Sequence, residues 1–293
     1  KTGLLFLSKS KFSNLNQKYN VASELTNCVT IIEDNTYIGT DEGLYILDKD
    51  HQPVYNEITE YLNNVSIRDI IQDSDGNIWF ATYRRYGVVK LTTSGEIKPY
   101  NKTTGLLSNL INSIYELNDG RIAISTEDGI SIISKNGNII RNYNYDNGLE
   151  YPNIISMYQD DTGLIYAGSD GGGLYVINGA EITNYTDDDG LNSNVVSCIT
   201  QGDNGLWIGT NNGLAYFDGT FRSISNIDYS NNIYSIMYQD GLYYIVGSKG
   251  LIFTTEDELL STIPLSERYY SSGDGLDSSI SINSKNYLYN YVA

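Results

Sequence analysis

Histidine is all but missing from this chain. The only one, His51, sits in the polar stretch LDKDHQPV without a fixed partner in sequence, so it reads as exposed. Serine and threonine hydroxyls thus lack a histidine to activate them, and nucleophile readings are set aside. Basic residues are scarce as well: 18 Lys and Arg stand against 36 Asp and Glu, for a formal net charge of -18. Phosphate binding wants a basic surface, so nucleic acid is not an expected partner. Acidity spread over turns reads as solubility rather than as a store of cations. No apolar run approaches the roughly 20 residues that span a bilayer, and no signal peptide is present. Direct membrane insertion of this segment is therefore not expected. Lys1 in place of Met reads as the start of a segment cut from a longer protein. Helix signals are almost absent.

What fills the chain is a repeat. The stretch 190–219, GLNSNVVSCITQGDNGLWIGTNNGLAYFDG, is a loop followed by two short apolar runs around a Gly-containing turn, a small residue with a hydroxyl, and a Gly opening a third run. The tail of its second run recurs as YIGT, WFAT, AIST, YAGS, WIGT and IVGS, with YVA at the end of the chain. The small residues are Gly39, Ala81, Ser125, Gly168, Gly209, Gly247 and Ala293, spaced by 42, 44, 43, 41, 38 and 46 residues. A period near 40 residues is the signature of propeller blades. The expectation is an all-β, single seven-bladed β-propeller over 1–293, with four-stranded antiparallel blades. Ala293 has nothing after it, whereas the chain opens on Gly3-Leu4 and an alternating run. The ring is therefore expected to close by pairing N-terminal strands at about 3–16 with C-terminal strands at about 278–293.

Alignment of the repeats assigns roles by column. Cys28 and Cys198 stand in an apolar column and read as buried thiols on innermost strands; they lie too many blades apart to form a disulfide. One residue earlier the column Asn27, Asp69, Ser113, Ser156, Ser197, Ser235 and Ser281 is small or polar, and strand alternation points it into the central channel as a hydrated lining. The hydroxyls Thr40, Thr82, Thr126, Ser169, Thr210 and Ser248 suit local backbone bonding at a strand end. Trp79, Trp207, Tyr37, Tyr166 and Tyr291 read as packing wedges. The segments 73–77 and 187–190, DSDGN and DDDG, lack the Glu that completes a calcium loop and read as β-turns. No metal and no cofactor is expected.

The segments 105–130, 147–174 and 189–214 carry GL, a polar pair, an apolar run, a D-x-G type turn, WIGT or its variants, and a closing Gly. This pattern resembles the two-component regulator propeller repeat. The resemblance is specific in repeats two to five and looser in repeats one and six. It implies a sensing domain on the extracytoplasmic side, periplasmic or at the cell surface, of a membrane-anchored bacterial signalling protein of the histidine kinase or hybrid two-component type. Known members respond to glycan fragments, which implies an oligosaccharide or small polar ligand, a homodimer of the parent protein, and an output domain outside this segment.

In a four-stranded blade, the loops after the second strand and between blades emerge on one face, and that face holds the local charge anomaly. Where other repeats mostly carry acids or amides, the second inserts Tyr83-Arg84-Arg85-Tyr86 and the sixth has Lys249. Two arginines flanked by tyrosines can clamp a carboxylate or sulfate and stack on a sugar; equally, they can pair with neighbouring acidic loops. Beside them Glu24, Ser66, Asn153, Asn194, Asn232 and Ser278 form a polar ring broken by Leu110, with Asn109 and Tyr151 close in sequence. Amides and tyrosines suit hydroxyl-rich ligands, and asparagines are also simple turn formers. The ligand-binding candidates are thus Tyr83, Arg84, Arg85, Tyr86, Asn109, Tyr151, Asn153, Asn194 and Asn232. A ligand sensor is the first reading, an interaction scaffold the second, and a propeller lyase or glycosidase the third, for which no distinctive carboxylate pair is visible.

Overall fold

The computed structural model describes residues 26–227, 232–265 and 269–271. These form six antiparallel sheets. The first holds β1 (Thr26–Ile32), β2 (Asn35–Thr40) and β3 (Leu44–Leu47). The second holds β4 (Ile67–Gln72), β5 (Ile78–Thr82), β6 (Val88–Leu91) and β7 (Ile97–Tyr100). The third holds β8 (Ile111–Glu116), β9 (Ile122–Thr126), β10 (Gly129–Ile133) and β11 (Ile139–Tyr143). The fourth holds β12 (Ile154–Gln159), β13 (Ile165–Ser169), β14 (Leu174–Asn178) and β15 (Glu181–Tyr185). The fifth holds β16 (Val196–Gln201), β17 (Leu206–Thr210), β18 (Gly213–Phe217) and β19 (Phe221–Ile224). The sixth holds β20 (Ile233–Gln239), β21 (Leu242–Gly247) and β22 (Gly250–Thr254).

Among the described residues there are six blades, not the seven expected. The seventh anchor, Ala293, and the Gly3-Leu4 run expected to complete its blade lie outside the described residues, whereas each of the other six anchors builds a sheet. The ring-closing pairing of about 3–16 with 278–293 lies outside the described residues. Two five-residue helices also depart from the all-strand expectation. Glu57–Tyr61 and Glu256–Leu260 follow the two three-stranded sheets, capped by Asn56 and Thr255 and anchored by buried Ile58 and Leu259. The spacing Thr255-x-x-Glu258 is a capping box legible in sequence.

The innermost strands β1, β4, β8, β12, β16 and β20 are neighbours in that order. In each, pairing to the second strand slips by one residue near its start, a β-bulge. The slip breaks the alternation that was to point the small polar column into a hydrated channel. Asn27, Asp69, Ser113, Ser156, Ser197 and Ser235 are all buried. Several of them fasten one blade to the next instead. Asp69 Oδ2 accepts from Ile114 N at 3.0 Å, Ser156 Oγ donates to Val196 O at 2.9 Å, and Ser197 Oγ donates to Ile233 O. At the third blade the neighbouring Asn112 does this work, donating from Nδ2 to Ile154 O at 2.8 Å.

The small-residue anchor serves the same junction. A Cβ added to Gly209 would lie 2.4 Å from Cys198 Sγ and 2.7 Å from Ile233 Cγ2 of the next blade, so only hydrogen fits there. Cys28 and Cys198 lie on innermost strands and form no disulfide among the described residues, Cys28 buried and Cys198 half-buried. The hydroxyl column closes the turn into the third strand: Thr40, Thr82, Thr126 and Thr210 donate to the carbonyls of Gly43, Gly87, Gly129 and Gly213 at 2.8 to 3.0 Å. Of those glycines, Gly87 and Gly129 meet the blade's outer strand closely. A Cβ on Gly129, at φ +129, would lie 2.0 Å from Tyr143 O.

On the opposite face the D-x-D-G-N turn holds a wedge in place rather than a cation. Asp73 accepts from Asn77 N at 2.8 Å and from Trp79 Nε1 at 2.7 Å, with Lys90 Nζ at 3.7 Å. Trp79 and Trp207 are buried, and Trp207 Nε1 finds its acceptor in Glu256 of the second helix at 3.2 Å. Burial opposes ionisation of Asp73, but the bonds from Trp79 and Asn77, with Lys90 beside them, hold its carboxyl below the ordinary value. The segment Asp187–Asp189 is a 3-10 turn, not a β-turn, and Asp189 accepts from Thr186 N at 2.9 Å. Among the described residues no group of His, Cys, Asp or Glu is arranged to hold a metal ion.

Two outcomes follow from this packing. Gly209→Ala should lower stability by about 1–3 kcal/mol through overpacking, read by denaturant unfolding; an unchanged midpoint would show that the blade junction is loose. A native carboxyl with a lowered pKa stabilises the fold above the unfolded value of 3.8 and loses that contribution as pH falls through its lower native value. Asp73→Asn should therefore cost about 1–3 kcal/mol at neutral pH and flatten the acid limb of the stability profile, whereas superimposable limbs would count against this role.

Candidate functional site

The inserted loop between β5 and β6 is pinned at both ends of its first half. Tyr83 N donates to Ser66 O at 2.9 Å, and Arg84 N donates to Asn109 O of the next blade entry at 3.0 Å. Arg84 is thereby held at φ +82, a region that costs a non-glycine residue about 1–2 kcal/mol. This places two guanidinium groups about the Tyr83 ring, Arg68 at 4.8 Å and Arg84 at 5.4 Å from its centroid. Tyr83 OH donates to Glu127 Oε1 at 2.6 Å; that bond, and then burial, push the phenol above its ordinary value.

The four inserted residues do not act together. Arg85 lies 5.1 Å over the Tyr86 ring, and Tyr86 stacks on Tyr61 of the first helix at 4.6 Å. The clamp expected from Tyr83, Arg84, Arg85 and Tyr86 is thus divided, one pair at the junction of the second and third blades and the other on the helix.

Arg68, on β4, takes the place expected of Arg85. In the column of Thr26, Arg68, Asn112, Ile155, Val196 and Tyr234 it is the single charged residue, which is the signal in the sequence that marks it. Its Nε is shut off from solvent and has no hydrogen-bond partner. Asp41 stands nearby but accepts from Asn27 Nδ2 and Ser66 Oγ, each at 2.8 Å. Burial works against its charge, while these two bonds and the field of Arg68 hold its carboxyl below the usual range. Among the described residues none of Arg68, Arg84 and Arg85 forms an ion pair within 4.0 Å. The alternative in which acidic loops neutralise the inserted arginines by direct pairing is not what the geometry shows.

The amides of the ring are largely engaged in holding loops. Asn109 Oδ1 accepts from Lys102 N at 2.9 Å, and Asn194 Oδ1 accepts from Asp187 N at 2.9 Å, so both cap 3-10 turns. Asn153 Oδ1 accepts from Asn112 Nδ2 at 2.9 Å and its Nδ2 donates to Asp170 Oδ2 at 3.2 Å. Asn232 O accepts from Ser248 N at 3.0 Å. Tyr151 fixes the loop after β13 through its backbone, which bonds Tyr175 OH and Ser169 Oγ, while the residue stays exposed. Tyr151, Asn153 and Asn194 all meet the loop 170–173, at a different blade junction from Tyr83 and Arg84. His51, expected to be exposed, is half-buried with φ +58. Elsewhere, a concavity of about 690 Å³ lies between β3 and the first helix, lined by Tyr45, Ile46, Val54 and Tyr55 and rimmed by Glu57 and Glu60.

The two component regulator propeller family model matches residues 61–84 and 190–212. The first match contains Arg68, Tyr83 and Arg84. No curated protein matches the chain. Among solved structures it is similar to the extracellular domain of a hybrid two component system from B. thetaiotaomicron, with TM-score 0.69 and 21% identity over 79% of this chain and 33% of that one. It is also similar to the extracellular domain of a one component system from B. thetaiotaomicron, with TM-score 0.70 and 18% identity over 90% of this chain and 39% of that one. Virginiamycin B lyase from Staphylococcus aureus follows, with TM-score 0.63 and 18% identity over 80% of this chain and 82% of that one. The chain thus spans 33% and 39% of the two B. thetaiotaomicron structures, and at these identities the likeness establishes the propeller fold.

Arg84→Gly should leave stability unchanged or raise it by up to about 1 kcal/mol, because glycine relieves the positive φ, while Arg84→Val should lower it by about 1–2 kcal/mol. Equal loss from both substitutions, measured by thermal unfolding, would mean that the arginine side chain itself supports the fold.

Proposed function

Starting from the two matches to the two component regulator propeller family model, we propose that the chain is the extracytoplasmic ligand-sensing part of a bacterial signalling protein, whose output lies outside this segment. Its ligand is a carbohydrate or a related small polar molecule bound on the loop face. The observation that carries the reading is the Tyr83 ring with Arg68 and Arg84 about it and neither guanidinium in an ion pair among the described residues. The extracellular domains among the structural neighbours support the setting. Among the described residues no helix is long and apolar enough to cross a membrane.

A lyase or glycosidase reading draws on the virginiamycin B lyase likeness. It needs a positioned acid–base pair, and the buried acids here are engaged: Asp69 accepts from Ile70 N and Ile114 N, and Glu256 accepts from Asp203 N, Trp207, Tyr216 and Tyr243. The sensing reading calls for no chemistry. A ligand shifts an equilibrium only by its differential affinity for two states, so binding acts by changing how the propeller meets a neighbouring domain or a second copy.

A thermal-shift screen of neutral and acidic oligosaccharides tests this reading. A bound sugar at 100 times its Kd should add about 2.7 kcal/mol of apparent stability. No shift from any sugar, together with capture of a protein partner by the loop face, would replace the sensor with an interaction scaffold.

A further inference from the structure

We infer that the ligand is an acidic sugar whose carboxylate or sulfate is received by Arg68 and Arg84 at the junction of the second and third blades. This rests on the sensing reading above and narrows it. Arg68 carries the argument. Its buried Nε has no acceptor from the chain, and its guanidinium lies 4.8 Å over the Tyr83 ring, so an anion or a water beside it would complete its bonding. Arg84 adds a second guanidinium on the same tyrosine ring, held there by the bond from its own N–H to Asn109 O.

The carboxylates close by are already engaged with neutral donors. Asp41 takes hydrogens from Asn27 and Ser66, and Glu127 takes the Tyr83 phenol. They lower the local positive field without contacting the guanidinium groups within ion-pair distance, so the planar N–H edges remain available for an incoming anion. Arginine forks match carboxylate and sulfate oxygens, and such charge-assisted bonds are about twice as strong as neutral ones. A chain of net charge -18 repels a free anion in general, so the pair also supplies selectivity for one place of entry.

The test uses matched pairs of sugars in calorimetric titrations of the whole chain: trigalacturonate against its methyl ester, and a sulfated carrageenan disaccharide against its desulfated counterpart. At least one acidic member should bind more tightly than its neutral twin and lose affinity as salt is raised. Arg68→Gln and Arg84→Gln should each weaken that binding about tenfold or more. Arg222→Gln, on the outer strand β19, should not. Folding of each variant is checked by its unfolding midpoint, and the Arg84→Gly variant gives a second, unstrained version of the same loss. Neutral and acidic twins binding alike, indifferent to both substitutions, would overturn the acidic-ligand inference while leaving the sugar sensor standing. Binding of no sugar of either kind would overturn both.

Discussion

The hydrogen bond from one blade's bulged innermost strand to the next blade's backbone is the constraint on which this propeller depends. Each blade buries its apolar faces against its neighbours, but apolar contact alone leaves adjacent sheets free to slide. Ser156, Ser197 and Asp69 remove that freedom, because each ties a buried polar group to a specific backbone atom across the junction. A slide would leave both partners buried and unsatisfied, at about 1–3 kcal/mol for each group. The bulge turns these side chains sideways, and the glycine at positions such as 209 lets the next strand come close enough to be reached.

Fixed junctions fix the loops that emerge from them. The loop after the second strand bonds to its own blade entry and, at three junctions, to the next: Glu42 O takes Asn64 N, Arg84 N reaches Asn109 O, and Gly171 N reaches Asn194 O. A residue placed in such a loop therefore has a defined position relative to the innermost strand of its blade. That is how Arg68, on β4, and Arg84, sixteen positions on in sequence, come to share the Tyr83 ring. Rigid strands supply one guanidinium and a strained, pinned loop supplies the other.

Much of this was legible in the residues because it is set within one repeat. The Thr40, Thr82, Thr126 and Thr210 hydroxyls close their turns as expected, and Trp79 and Trp207 are buried wedges, since both roles follow from the blade's own backbone. What lies between repeats was harder to read. The polar column was assigned to a hydrated channel because simple alternation cannot anticipate a one-residue slip. Asn109 and Asn194 looked like ligand groups, yet each sits seven residues beyond the start of a 3-10 turn and caps it. Arg68 is hard to read from its column alone because its meaning depends on a loop inserted in the same blade. The described residues build six blades rather than seven, one for each anchor whose Gly-led strand follows it directly in the chain.

The most direct measurement is a crystal structure of the chain with the acidic oligosaccharide that binds it most tightly. The account predicts the acid group against Arg68 and Arg84, with Arg68 Nε or its neighbouring N–H groups donating to it. A ligand seated in the groove between β3 and the first helix, with both arginines untouched, would contradict it.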